Sequence, residues 1–312
     1  MSGPKTILCP IDFSDGSRIA LTCARWIADQ VSARLLLHAV EDPLLTEAVH
    51  LGTGIVWDPE ETRRELTHFS MRALGANPLK SGAIEYEVTV GKPDKEILRV
   101  AQEQSSDLIV MSTHGLTGMR KLFFGSTTER VLRETTVPVL VTPPVVHAPL
   151  DADEVKRIVR RLLVPVDMTA ASAHHVHVAS TIAQALQLPL IATHVVEPVR
   201  TPLAAKLHLP SIELERRRRA EDALNEMLSS LPKGIQAEAL VGYGDPAEEI
   251  AKIARDRQAG LIVIGLQGSP VLGPHMGSVT YRVLCLVHAL VLAVPPPPPG
   301  ADTGPARGDR RP

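Results

Sequence analysis

Short apolar runs alternate along this chain with longer stretches in which apolar residues recur every three or four positions. Residues 6–11 form the first run. Ile19, Cys23, Trp26, Ile27 and Val31 then fall on one face of a helix. The alternation continues, predicting strands at 35–40, 86–90, 108–112 and 137–142 and helices at about 60–74, 94–103 and 126–133. Strands apolar throughout, separated by amphipathic helices, imply a parallel sheet covered on both faces. A ligand of such a sheet belongs outside the carboxyl ends of the strands, where the strand order reverses. Asp12 and the loop after Met111 lie at such ends.

The pattern then repeats. Leu8-Cys9-Pro10-Ile11-Asp12 returns as Leu163-Val164-Pro165-Val166-Asp167, and Asp107-Leu108-Ile109-Val110-Met111 as Gly260-Leu261-Ile262-Val263-Ile264. Asp12 recurs at Asp167, Gly115 at Gly268 and Gly125 at Gly277, a spacing that drifts only from 155 to 152 residues. A period this long indicates duplicated domains and not a solenoid. The expected division is a first domain at 1–143, a linker at 144–157, a second domain at 158–295 and a proline-rich tail at 296–312 too poor in apolar residues to order itself. The longest apolar run, 283–294, is too short to span a bilayer and reads as a buried strand.

Composition narrows the function. Aromatic residues make up 3% of the chain, so the cores must be built from Val, Leu, Ile and Ala. A net charge of -2 gives no long-range attraction to nucleic acid or anionic lipid, and neither is expected as a partner. Cys9, Cys23 and Cys285 lack disulfide or zinc spacing, and no signal-length stretch opens the chain, so a cytoplasmic location is expected. His174, His175 and His177 lack a completing acid or cysteine and read as the solvated start of a helix, so no metal site is assigned. Arg216, Arg217, Arg218 and Arg219, flanked by acids, read as a salt-bridged surface helix. Cys9 reads as a buried small hydrophobe.

The chemistry lies after the fourth strand. Met111-Ser112-Thr113-His114-Gly115 is followed by nine residues and then Gly125-Ser126-Thr127. A loop that leaves a strand and opens a helix offers backbone N–H groups and the helix dipole to an anion. Gly115 and Gly125 allow close approach and positive φ, and Arg120 and Lys121 supply charge. Ser126 has two readings, a helix N-cap paired with Glu129 or a phosphate ligand. No lysine directly follows the last glycine, as a Walker loop requires, and no nucleophile elbow occurs.

These residues resemble the universal stress proteins, specifically the tandem type. Nucleotide-binding members of that family carry Gly, two residues, Gly, nine residues, then Gly and Ser or Thr. The first copy matches except that Ser112 replaces the first glycine, and Pro10-Ile11-Asp12-Phe13-Ser14 and Leu37-His38-Ala39-Val40 extend the likeness. The resemblance implies two flavodoxin-like, doubly wound, five-stranded parallel domains and ATP, with or without Mg, as ligand. It places Pro10, Asp12 and Ala39 at the adenosine and Met111, Ser112, Gly115, Arg120, Gly125, Ser126 and Thr127 around ribose and phosphates. It also implies pairing through the fifth strands, 137–141 with 290–294, as an internal pseudo-dimer, and leaves room for a homodimer and an unidentified protein partner.

The second copy departs. Gly265 and Gly268 are followed by eight residues before Gly277-Ser278, and these include Pro270 and Pro274 and no Lys or Arg. Each proline removes an N–H donor. Asp167, Val195, Gly265, Gly268, Gly277 and Ser278 are therefore expected to form a weaker site. The leading expectation is a stress-response protein that binds ATP in its first domain as a conformational signal, with 116–124 and 44–59 as moving parts. A nucleotide-free scaffold is the alternative and slow ATP hydrolysis the third reading; no catalytic residue is assigned.

Overall fold

The computed structural model describes residues 3–44, 58–75, 83–113, 125–143, 152–198, 210–269 and 273–297. The first half contains β1 (Thr6–Pro10), α1 (Asp15–Val31), β2 (Arg34–Glu41), α2 (Pro59–Leu74), β3 (Ile84–Val90), α3 (Pro93–Glu103), β4 (Leu108–Ser112), α4 (Ser126–Glu134) and β5 (Val139–Thr142). A short helix α5 (Ala152–Ile158) follows. The second half contains β6 (Leu162–Pro165), α6 (Ala170–Leu186), β7 (Leu190–Val196), α7 (Pro210–Ser229), β8 (Ala237–Tyr243), α8 (Pro246–Asp256) and β9 (Leu261–Gly265). It ends with the hairpin β10 (Gln267–Ser269) and β11 (Gly273–His275), α9 (Ser278–Leu286) and β12 (Leu290–Val294). The apolar run 283–294, read from sequence as one strand, is divided between the end of α9 and β12.

Each half is a parallel sheet with its first strand beside its fourth, and the two join into a single ten-stranded sheet ordered β3-β2-β1-β4-β5-β12-β9-β6-β7-β8. The junction is antiparallel, with Val141 opposite Val291, Leu140 opposite Leu292 and Val139 opposite Ala293. Pairing the fifth strands removes one open edge from each half.

Alternation along the strands builds two cores. Ile7, Cys9, Leu35 and Leu37 face Leu21 of α1 and Leu66 of α2. Leu8, Leu36, Ile109 and Met111 face Ile97 and Val100 of α3 and Val131 of α4. Both layers cross the junction, since Leu140 and Leu292 belong to the first and Val139, Val141, Val291 and Ala293 to the second. The halves are therefore joined by packed side chains on both faces as well as by backbone pairing.

Within the expected linker, α5 packs against α1 and buries Val155. Cys9 is fully buried, and desolvation pushes its thiol far above the ordinary range, so it is held protonated. On α7, Arg218 and Arg219 both pair with Glu215, at 3.2 and 2.8 Å. Among the described residues no helix is long and apolar enough to cross a membrane.

Candidate functional site

The first strand of each half ends in the same device. Asp12, exposed at the end of β1, accepts from the Ser14 N–H at 3.1 Å and the Ser14 hydroxyl at 2.5 Å through Oδ1. Ser14 Oγ in turn accepts from Ser17 N–H at 3.1 Å and caps α1. Between them Phe13 is held at φ 61°, a conformation uncommon for a non-glycine residue and sustained by the surrounding contacts. In the second half Met168 has φ 61°, and Asp167 Oδ1 accepts from the Thr169 N–H, the Thr169 hydroxyl and the Ser172 hydroxyl at 3.0, 2.6 and 2.8 Å. Burial alone would raise the Asp167 carboxyl, but these donors outweigh it and hold the group below its usual range.

Beside β1 lies the end of β4. Met111 and Thr113 are buried and Ser112 is half-buried. Gly125 N–H donates to Thr113 O at 2.7 Å, and the Thr128 hydroxyl donates to Ser112 O at 2.8 Å, so the start of α4 is clasped to the strand end. Pro10 is half-buried at the end of β1 and Ala39 is buried on the adjacent β2. His114, Gly115, Arg120 and Lys121 lie outside the described residues.

Two expectations change here. Gly125, and not Ser126, is the cap residue of α4, and no side chain caps the helix. Ser126 is the first helical residue and exposed, so its hydroxyl is not used as an N-cap. Gly125 has φ -58°, a conformation open to any residue, so its glycine is not required by backbone handedness. An uncapped helix start with an exposed hydroxyl and two half-buried neighbours, Gly125 and Thr127, fits a phosphate chain, and exposed Asp12 fits the donors of a nucleoside. Among the described residues no group of three His, Cys, Asp or Glu side chains is placed to hold a metal ion.

The second crevice keeps the clasp but not the space. Thr280 donates to Gly265 O at 3.1 Å, and α9 begins at exposed Ser278 behind buried Gly277, again without a side-chain cap. The loop between is folded on itself, with Gly268 opposite Pro274 in the β10–β11 hairpin. Val195, half-buried, stands where the first half has buried Ala39. The largest difference comes from α6. A Cβ placed on Gly265 would lie 2.0 Å from Cε1 and 2.3 Å from Nε2 of His175, so the imidazole rests directly on the glycine backbone.

His175 is thus not part of a solvated face, as the sequence pattern implied. His177 is exposed and His174 and His175 are half-buried, and within His175 the Nε2 atom is buried without a hydrogen-bond partner. Burial, reinforced by His174 and opposed by Asp167, lowers its pKa to about 4. The corresponding residue, eight positions after Asp12, is Ala20, fully buried on α1. A signal was present in the sequence: an Ala and Ser pair, 20 and 112, is exchanged for a His and Gly pair, 175 and 265.

The family model of the universal stress protein family matches residues 3–143 and again 159–295. The universal stress protein MJ0577 of Methanocaldococcus jannaschii is 30% identical over 155 residues, covering 44% of this chain and 93% of that protein. Universal stress protein YxiE of Bacillus subtilis is 33% identical over 146 residues, covering 43% and 96%. A crystal structure of a universal stress protein from Archaeoglobus fulgidus superimposes with TM-score 0.61 at 19% identity, covering 93% of this chain and 96% of that one, a likeness of fold. The chain belongs to the universal stress protein family and carries its domain twice.

Proposed function

We propose that this is a cytoplasmic stress-response protein that binds ATP in its first domain and uses occupancy as a signal. The observation that carries this reading is the uncapped start of α4 clasped beside the open end of β4, with Asp12 exposed just past the end of the neighbouring β1. Adenosine lies toward Pro10, Asp12 and Ala39; the phosphates lie toward Ser112, Gly125, Ser126 and Thr127, with Gly115 and Arg120 on the intervening loop. Among the described residues none beside the phosphate end is set as a general base, in keeping with slow hydrolysis at most.

A route for the signal is available. The β11 strand of the second domain lies against α4 of the first, so a shift of α4 on phosphate binding reaches the second domain directly. A ligand moves such an equilibrium only through different affinity for its two states. Hydrogen exchange of 116–124 should slow with ATP, and unchanged exchange would remove the signalling role.

The continuous ten-stranded sheet favours a second reading, a nucleotide-free platform for a protein partner. Because β5 and β12 are paired within the chain, any homodimer needs another surface. Titration calorimetry separates the readings. One ATP per chain is expected, weakened at least tenfold, about 1.4 kcal/mol, by Gly125→Val, whose side chain blocks close approach. Absence of binding favours the platform.

A further inference from the structure

The second domain retains most of the frame that makes the first crevice. Asp167 sits in its cradle of N–H and hydroxyl donors, Thr280 clasps the end of β9, and α9 starts uncapped. In the sheet, β6 lies between β9 and β7, as β1 lies between β4 and β2. The change of direction in strand order therefore falls between β6 and β9, where a ligand of this fold enters.

At that place stands His175. It is close enough to Asp167 to feel its charge, and its ring lies on Gly265, 2.7 Å from Nδ1 to a Cβ at that residue. The buried Nε2 has no hydrogen-bond partner, so the enclosure of that nitrogen in a half-buried ring is not explained by local bonding. Gly265 restores the glycine that the first domain lacks, yet the space it frees is filled by the chain's own side chain. Close-packed interiors do not admit a second occupant in the same volume.

Resting on the reading that the first crevice takes ATP, we propose that the second domain holds an adenine-nucleotide crevice closed by His175, and that this residue sets the number of sites in the chain. The hairpin β10–β11 then governs how well phosphates are held once the crevice is open, while the imidazole governs whether a nucleoside can enter. Ala20 is the open counterpart in the first domain.

Calorimetric titration with ATP, and separately with adenosine, tests this on the full chain. His175→Ala should bind one more equivalent of adenosine or ATP than the unaltered protein. The pair His175→Ala with Gly265→Ser rebuilds the first domain's combination, fills part of the vacated space and should show the same gain. Circular dichroism and thermal melting report that both variants are folded. The reverse exchange, Ala20→His with Ser112→Gly, should remove the site present in the unaltered protein. No added equivalent in either folded His175 variant overturns the proposal. The unaltered protein's own stoichiometry judges the ATP reading separately: no binding there, with one equivalent gained in His175→Ala, sinks that reading and leaves closure by His175 standing.

Discussion

The fourth strands of the two domains, β4 and β9, differ at both ends in the same way. Asp107 precedes β4, and its Oδ2 accepts from the Lys5 and Thr6 N–H groups at 2.8 and 3.0 Å. The corresponding residue before β9 is Gly260, where a Cβ would lie 1.9 Å from the Ile158 carbonyl oxygen. At the other end Ser112 is replaced by Gly265 under the His175 ring. In the first domain Asp107 bonds the strand entrance and a serine stands at the exit; in the second a glycine at each end admits mass from a neighbouring element. A glycine inside a ligand motif is therefore ambiguous until its neighbour is known, because close approach by a phosphate and by the chain's own atoms demand the same missing Cβ.

The amino end gives the largest expected effect. Gly260→Ala forces a methyl against backbone that cannot rotate away, so α5 or β9 must shift, and a loss of about 3 kcal/mol or more is expected. Asp107→Ala removes two hydrogen bonds at an exposed position and should cost about 1 kcal/mol. Urea unfolding of the two variants measures both. Similar losses would break the distinction between a bonded and a packed strand entrance.

Acid should expose the next difference. His38, buried on β2 with Nε2 2.8 Å from Thr89 Oγ1 and Nδ1 unpartnered, is lowered by burial to about 4, against the opposing pull of Glu96. His175 is lowered to a similar value. Unfolded imidazoles take up protons below about 6.5 while these folded ones do not until about 4, so stability is intact above the upper value and falls as pH drops through that window. For His38 the loss is on the order of 3 kcal/mol, and for the less enclosed His175 it is smaller. Unfolding midpoints at pH 7 and pH 5 should converge slightly in His175→Ala. An acid limb unchanged by that substitution would mean the ring is not enclosed.

Much of the fold was legible in the sequence because apolar runs of strand length and helical spacing are local properties. The duplication was legible for the same reason, and fifth-strand pairing was implied by the family resemblance. The plug was not. The three histidines together read as a polar helix start, and only the glycine 90 positions away on another element gives His175 room. Of the two readings of Ser126 the cap fails, because Ser126 and Glu129 satisfy a capping-box pattern whose geometry the chain does not adopt. Helix α5 was missed within an acidic, proline-flanked segment, although Val155 and Val159, four apart and both buried, carried its signal.

The sharpest probe of the comparison is a cycle between Gly265 and His175. Gly265→Ala alone should destabilise the chain by about 2 kcal/mol, since the new methyl meets the imidazole well inside contact distance and the ring must rotate away. In the His175→Ala background the same methyl enters vacated space, and most of that cost should vanish, giving a coupling of about 1–2 kcal/mol. Ser112→Ala in the first domain changes a half-buried hydroxyl beside Ala20's helix and should cost less than about 1 kcal/mol. If Gly265→Ala costs the same with and without the imidazole, something other than His175 fixes that glycine, and the exchange of pairs between the two crevices loses its physical basis.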